Sequence, residues 1–214
     1  MLHILFILLI LSFFSSIPLM IVSGALKFLA TGFSHIGIAP SFIPFVLALM
    51  LVGSFINIPL GQRHIVEVEE PYFFGLFSKR HVRLRGISLN VGGALIPVLV
   101  ASFLLAKVPM VPALLATACM VIACFFLAKQ IPGRGIAIPL LAPPLLAIFF
   151  SYLFAPQFVA PVSFISGVFG VLVGADLLHI GAFMRREIGM VSIGGAGAFD
   201  GIFLVGIISA FLAR

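Results

Sequence analysis

The chain has 214 residues, of which 63% are hydrophobic and 8% charged, and its mean hydropathy is +1.35. Soluble domains use about 25% charged residues, so this composition excludes a soluble domain and predicts a helical protein of the lipid bilayer. The formal charge of +6 does not indicate a nucleic-acid partner, because basic residues concentrate on the cytoplasmic side of membrane proteins. Membrane lipids are the expected surroundings.

Continuous apolar runs of about 20 residues, separated by proline, glycine and charged residues, predict membrane-spanning helices. The expected fold is an all-α polytopic bundle of about seven spans, with residues 1–214 forming a single integral membrane domain. The predicted spans are residues 2–31, 40–60, 88–106, 108–128, 136–154, 159–183 and 198–213.

The distribution of lysine and arginine predicts a cytoplasmic N-terminus and an external C-terminus. In this orientation only Lys27, Lys107 and Arg214 fall outside. The basic residues on the cytoplasmic side are Arg63, Lys79, Arg80, Arg83, Arg85, Lys129, Arg134, Arg185 and Arg186.

The longest polar segment, residues 61–87, alternates between apolar and polar residues near both of its ends. A period of two is typical of β-strands, so we expect a cytoplasmic β-hairpin whose acidic first arm pairs with its basic second arm. The hairpin could serve only to connect two helices, or it could bind a substrate or partner.

Two parts of the chain resemble each other. Residues 52–63, VGSFINIPLGQR, precede a loop and then ISLNVGGALIP, while residues 173–186, VGADLLHIGAFMRR, precede a loop and then VSIGGAGAFDG. The similarity suggests a 3+1+3 internal repeat of parallel copies. The second copy carries Asp176 and Asp200, whereas the first offers Asn57 and Asn90.

Asp176 and Asp200 are the candidate catalytic residues. A carboxylate at membrane depth costs about 2.5 to 3.5 kcal/mol on insertion scales, so its presence indicates function or a polar partner. The glycine-rich stretch 187–200, which includes Gly195 and Gly197, could return as extended backbone and bring Asp200 to the depth of Asp176.

Two adjacent carboxylates share one proton, so that one can activate water while the other protonates a leaving group. This chemistry predicts an intramembrane aspartyl-type peptidase that acts on transmembrane peptides. The alternatives are a proton- or ion-coupled transporter that uses the same aspartates, or purely structural aspartates that cap a helix or pair with neighbouring side chains.

His179 lies on the helical face of Asp176 and could tune the carboxylate, or it could be an ordinary packing residue. Two aspartates and one histidine do not specify a metal, and no cofactor is expected. Ser192 precedes the Gly-Gly turn, but the sequence offers it no histidine base for nucleophilic catalysis. The oligomeric state is left open.

Residues 164–213 resemble the GxGD intramembrane aspartyl proteases, which include presenilin, signal peptide peptidase and the prepilin peptidases. The similarity lies in one aspartate on a helix that runs to the cytoplasm and a second, Asp200, that follows a glycine-rich turn. The sequence Gly197-Ala-Phe-Asp200 departs from GxGD by one extra residue. The resemblance implies that Asp176 and Asp200 are catalytic, with Gly195 and Gly197 supporting them.

The whole chain, through NIPLGQR, NVGGALIP, GADLLHIG and SIGGAGAFDG, also resembles an uncharacterised prokaryotic family of membrane proteins. That family is known only as a domain of unknown function. The resemblance implies a prokaryotic cell membrane as the location and implies no activity.

Overall fold

The computed structural model describes residues 30–72, 77–131, 135–181 and 190–195, together with residues 23, 24, 27 and 208. Its helices are α1 (Ile43–Gly53), α2 (Ile96–Leu105), α3 (Met110–Leu127), α4 (Ala142–Phe154) and α5 (Val159–Gly170). A π-helical turn, Val91–Leu95, leads into α2, and a second π-helical segment, Val171–Leu177, continues α5. The strands are β1 (Asn57–Tyr72), β2 (Phe77–Asn90), β3 (Lys129–Ile131), β4 (Gly135–Ala137) and β5 (Met190–Ile193).

The strands form a three-stranded sheet in the order β1-β2-β5 and a two-stranded sheet of β3 and β4. Both sheets lie at the same end of the helical layer, where the chain passes between helices and strands. We call this end the sheet end. Strands β1 and β2 pair antiparallel from Asn57 opposite Asn90 to Tyr72 opposite Phe77. Pro59, which cannot donate to a ladder, is accommodated because β1 lies at an edge of the sheet. The antiparallel pairing predicted for residues 61–87 is therefore present, and it extends beyond that segment at both ends.

The helix formed by Val159–Gly170 and its π-helical continuation is the centre of the helical layer, since it packs against α2, α3 and α4. Gly170 and Gly174 bring its backbone against α3. A methyl group at Gly170 would overlap Met120, and one at Gly174 would overlap the carbonyl oxygen of Val121. Glycines four residues apart at a helix contact are typical of helix packing in membranes.

Helices α3 and α4 turn mostly small residues inward and large apolar residues outward. In α3 the buried positions include Ala113, Ala116 and Cys124, while Phe126 on the same helix is 77% exposed. In α4 the buried positions include Ala147 and Ser151. Because a soluble protein buries its large apolar side chains, this inverted pattern indicates an apolar surrounding.

Two described helices, Met110–Leu127 and Val159–Gly181, are long and apolar enough to cross a membrane. Their length and composition, together with the exposed apolar side chains, indicate association with a membrane. The predicted spans 108–128 and 159–183 correspond closely to these helices.

The predicted fold class, an all-α bundle of seven spans, is wrong. The described residues contain a mixed β-sheet and two helices of spanning length, while Ile43–Gly53, Val91–Leu105 and Ala142–Phe154 are shorter apolar helices. Predicted span 40–60 ends in β1, span 88–106 begins in β2, and span 136–154 begins in β4. Hydropathy alone cannot distinguish an apolar strand from a helix, so these three predicted helices include residues that belong to strands. The predicted spans 2–31 and 198–213 lie essentially outside the described residues.

The predicted 3+1+3 internal repeat required the seven spans and is wrong for the same reason. The similar segments nevertheless lie side by side, because β2 and β5 pair in parallel with Ile87 opposite Val191, Ser88 opposite Ser192 and Leu89 opposite Ile193.

Candidate functional site

Two glycine turns meet where β2 and β5 end. A methyl group at Gly93 would overlap the carbonyl oxygen of Gly194, and one at Gly194 would overlap the backbone of Ala94. Gly194 and Gly195 also adopt φ values of +79° and +75°, in the left-handed region that favours glycine. Two backbones can approach this closely only where neither residue carries a side chain.

Asn90 holds the first turn from a fully buried position, with 0% of its surface exposed. Its Oδ1 accepts a hydrogen bond of 2.6 Å from the backbone N–H of Gly93, so Asn90 caps the π-helical turn. Its Nδ2 donates to the carbonyl oxygen of Ser54 at 2.7 Å and to Asn57 Oδ1 at 3.1 Å. These bonds use both ends of the amide, which is the condition for burying a polar side chain without a large penalty.

Ser192 connects β5 to this network. Its Oγ lies 2.7 Å from Asn57 Oδ1 and 2.8 Å from the carbonyl oxygen of Gly195. A hydroxyl has one proton, so it donates to one of these acceptors at a time. Asn57 therefore accepts from Asn90 on β2 and can also accept from Ser192 on β5, joining the ends of all three strands of the sheet.

Asp176 holds the second turn. It lies half-buried in the π-helical segment Val171–Leu177, and its Oδ2 accepts a hydrogen bond of 2.8 Å from the backbone N–H of Gly194. A π-helical turn inside a helix is rare and is frequently found at functional sites. The carboxylate is thus positioned at the point where β5 ends and the chain turns.

His179 faces the helix layer. Its Nδ1 lies 3.1 Å from the carbonyl oxygen of Gly174, and its ring lies 4.9 Å from the ring of Phe125. Since a carbonyl can only accept, Nδ1 carries a proton in this hydrogen bond. These contacts correspond to the packing role considered for His179 from the sequence.

The structure brings Asp176, Asn57, Asn90 and Gly195 to one junction at the sheet end, whereas Asp200 and Gly197 lie outside the described residues. Within the described part of the chain, no three histidine, cysteine, aspartate or glutamate side chains lie close enough together to hold a metal.

The sequence did not predict that Ser192 and Gly93 hold this junction together. Sequence reasoning considered Ser192 only as a nucleophile, and its hydroxyl instead bonds across the strand ends. The available signal was the similarity of ISLNVGGA to VSIGGAG, which aligns Ser192 with Ser88 and, after a gap of two residues, one glycine pair with the other.

The chain belongs to the family described as "Protein of unknown function (DUF1614)", whose sequence profile matches residues 51–212. The match covers every element from the last turns of α1 to β5, including the whole junction. It confirms membership of an uncharacterised family, while the resemblance to the GxGD proteases stays a prediction. No curated protein and no solved structure matches the chain.

Proposed function

We propose that this protein is an intramembrane aspartyl-type peptidase in which Asp176 is one of two catalytic carboxylates. The observation that carries the proposal is the position of Asp176 on an apolar helix of spanning length, hydrogen-bonded to the turn that ends strand β5. A half-buried carboxylate in such a helix is costly and marks a functional group by default.

The second carboxylate of the proposal is Asp200. It lies six positions after Gly194 in the sequence, and an extended chain of that length spans about 20 Å at most. The length of this connection is compatible with the proposed pairing of Asp200 with Asp176. In the proposed reaction one carboxylate is ionised and removes a proton from water, while the protonated one hydrogen-bonds the scissile carbonyl and later supplies the proton to the leaving amine.

Strand β5 offers a way to hold the substrate. In the described part of the sheet it is an edge strand, with β2 on its one paired side. An extended peptide adds to such an edge through backbone hydrogen bonds, which do not depend on its sequence. A transmembrane peptide unwound at the sheet end would then run beside Asp176.

The proposed orientation has the sheet end in the cytoplasm, the N-terminus inside and the C-terminus outside a prokaryotic cell membrane. It is supported by the positive-inside rule, because the strands and their connections hold most of the basic residues. Those in described strands are Arg63, Lys79, Arg80, Arg83, Arg85 and Lys129.

The alternative is a proton- or cation-coupled carrier. It is favoured by one specific observation, the π-helical distortion of the helix at Asp176. Transporters place ion sites where helices depart from regular geometry, since backbone carbonyls become available there.

The test is cleavage of single-span substrates by the full chain reconstituted in liposomes. We expect Asp176→Asn and Asp200→Asn each to abolish cleavage, because an acid and a base that act on one intermediate fail together. Glu69→Gln, which neutralises a carboxylate in the hairpin, is the matched control and should retain full activity.

Partial, additive losses from the two aspartate variants would contradict a shared mechanism. Proton- or cation-driven flux that depends on both aspartates, without cleavage, would favour the carrier. Loss of stability in both variants, with neither activity in the parent chain, would make the carboxylates structural.

A further inference from the structure

A groove of about 600 Å³ lies between α1 and α2, at the end of these helices opposite the sheet. We call it the α1–α2 groove. Its volume is that of a typical small-molecule site, and its walls are apolar apart from one lysine. The residues that bear on the argument are Phe42, Phe45, Val46, Leu99, Phe103 and Lys107.

The groove follows from the way the two helices meet. At the sheet end, a methyl group at Gly53 would lie 2.9 Å from the backbone nitrogen of Gly92, and one at Gly92 would overlap the carbonyl oxygen of Met50. The backbones are thus in contact at this end. Toward the other end the helices carry phenylalanine, valine and leucine, and the space between them opens into the groove.

The groove faces the apolar surroundings of the protein. Phe45 is 62% exposed and Leu99 is 60% exposed, on the two opposing walls. An apolar groove that opens onto lipid is accessible to an acyl chain without passage through water.

Lys107 places a positive charge at the end of the groove. Its Nζ lies 4.2 Å from the centre of the Phe103 ring and 3.4 Å from the carbonyl oxygen of Gly37, which holds the ammonium over the groove wall. The acidic residues of the described chain lie elsewhere, in the hairpin strands and at Asp176 near the sheet end. Within the described part of the chain no carboxylate lines the groove beside Lys107, so its ammonium is available to complement the anionic headgroup of a lipid.

We infer that the α1–α2 groove binds an anionic phospholipid, with an acyl chain between Phe45 and Leu99 and the phosphate beside Lys107. The groove supplies the apolar contact and the ammonium supplies the preference for an anionic headgroup. This site is separate from Asp176 and does not depend on the proposed peptidase activity.

The chain contains no tryptophan, so a single introduced tryptophan reports on one position. The full chain carrying Phe45→Trp is reconstituted in liposomes, and its fluorescence is quenched with brominated phosphatidylglycerol or brominated phosphatidylcholine. We expect about a fivefold preference for the anionic lipid, as one lysine near a headgroup provides. Phe149→Trp is the matched control, because Phe149 is 60% exposed on α4 and does not line the groove.

In the Phe45→Trp chain, Lys107→Gln should remove the preference and Lys107→Arg should retain it. Equal quenching by both lipids at position 45, or the same preference at position 149, would overturn the site. Absence of quenching at position 45 with normal quenching at position 149 would also overturn it, because another part of the chain would then fill the groove. Unchanged quenching at position 149 in the Lys107→Gln chain is the check that the variant is folded.

Discussion

The two glycine turns at the sheet end are held in the same way by different side chains. At the first turn, Asn90 Oδ1 accepts the backbone N–H of Gly93, and at the second turn Asp176 Oδ2 accepts the backbone N–H of Gly194. Asn90 is fully buried and uses its amide nitrogen for two further hydrogen bonds. Asp176 is half-buried and carries an acidic group where the first turn has a neutral one.

The two turns distinguish the hydrogen bond that a glycine turn needs from the charge that Asp176 adds to it. Holding a glycine turn requires one side-chain oxygen, and the first turn shows that an amide suffices. A carboxylate performs the same task while adding a charge that is unfavourable in an apolar helix. A hydrogen bond to the turn does not by itself require a charged side chain, and this supports the catalytic role proposed for Asp176.

The largest effect is expected where the two turns touch. Gly93→Ala places a methyl group against the carbonyl oxygen of Gly194, and neither backbone can move without disturbing the sheet. We expect a loss of about 4 kcal/mol or more in the free energy of unfolding, or failure to accumulate. Thermal unfolding in detergent, followed by circular dichroism, measures it.

Gly181→Ala is the control, because a methyl group at that position would meet no other atom within 4 Å. It should leave the unfolding temperature unchanged or raise it slightly. A Gly93→Ala protein as stable as this control would show that the two turns do not need their close contact.

Replacement of Asn90 by leucine should produce the next largest effect. The change leaves the Gly93 N–H and the Ser54 carbonyl oxygen buried without the partner they have in the native chain, at a cost of about 2 to 4 kcal/mol. Asn57→Ala removes an exposed partner of the same network and should cost about 1 kcal/mol. Urea unfolding of both variants in the same detergent tests the order, and equal losses would contradict the structural role of Asn90.

Asp176 variants test whether the charge is needed for stability. Asp176→Asn keeps an oxygen for the Gly194 N–H and should lose less than about 1 kcal/mol, whereas Asp176→Leu should lose about 1 to 3 kcal/mol. Unfolding measurements on both proteins, together with the cleavage assay, separate the two roles. Equal destabilisation by both substitutions would mean that the charge itself holds the turn.

Ser192→Ala should have a small effect, about 1 kcal/mol, because Asn57 Oδ1 keeps its hydrogen bond from Asn90 when the hydroxyl is lost. Ser102→Ala is the matched control, since the Ser102 hydroxyl is exposed and bonds only locally to the carbonyl oxygen of Val98. It should change stability by less than about 0.5 kcal/mol. A Ser192→Ala protein that matches this control would remove Ser192 from the junction.

Helix boundaries were predictable where a whole apolar run forms one helix. Residues 110–127 and 159–181 were found within a few residues, because proline, glycine and charged residues flank long apolar runs there. The prediction failed at residues 54–60, 88–90 and 136–137, where the predicted span includes part of a strand or the turn that leads into it. Hydropathy records how apolar such residues are and not their backbone conformation.

Part of the candidate site was predictable from the residues themselves. Asp176 is visible in the sequence because a carboxylate in an apolar helix is unusual, and Asn57 and Asn90 follow from the similarity between the two segments. The hydrogen bonds from Asn90 to Ser54 and Asn57 are not visible in the sequence, because they join residues 36 and 33 positions apart.

The sequence by itself determined an apolar chain, two helices of spanning length, a β-hairpin and a carboxylate within an apolar segment. These properties follow from composition and local periodicity, which depend on neighbouring residues alone. Only the tertiary structure decided that β2 and β5 pair in parallel, that Gly93 and Gly194 touch, and that Asp176 receives the Gly194 N–H. Each of these contacts depends on the relative position of segments distant in the chain, which the packing of the helices and the sheet sets.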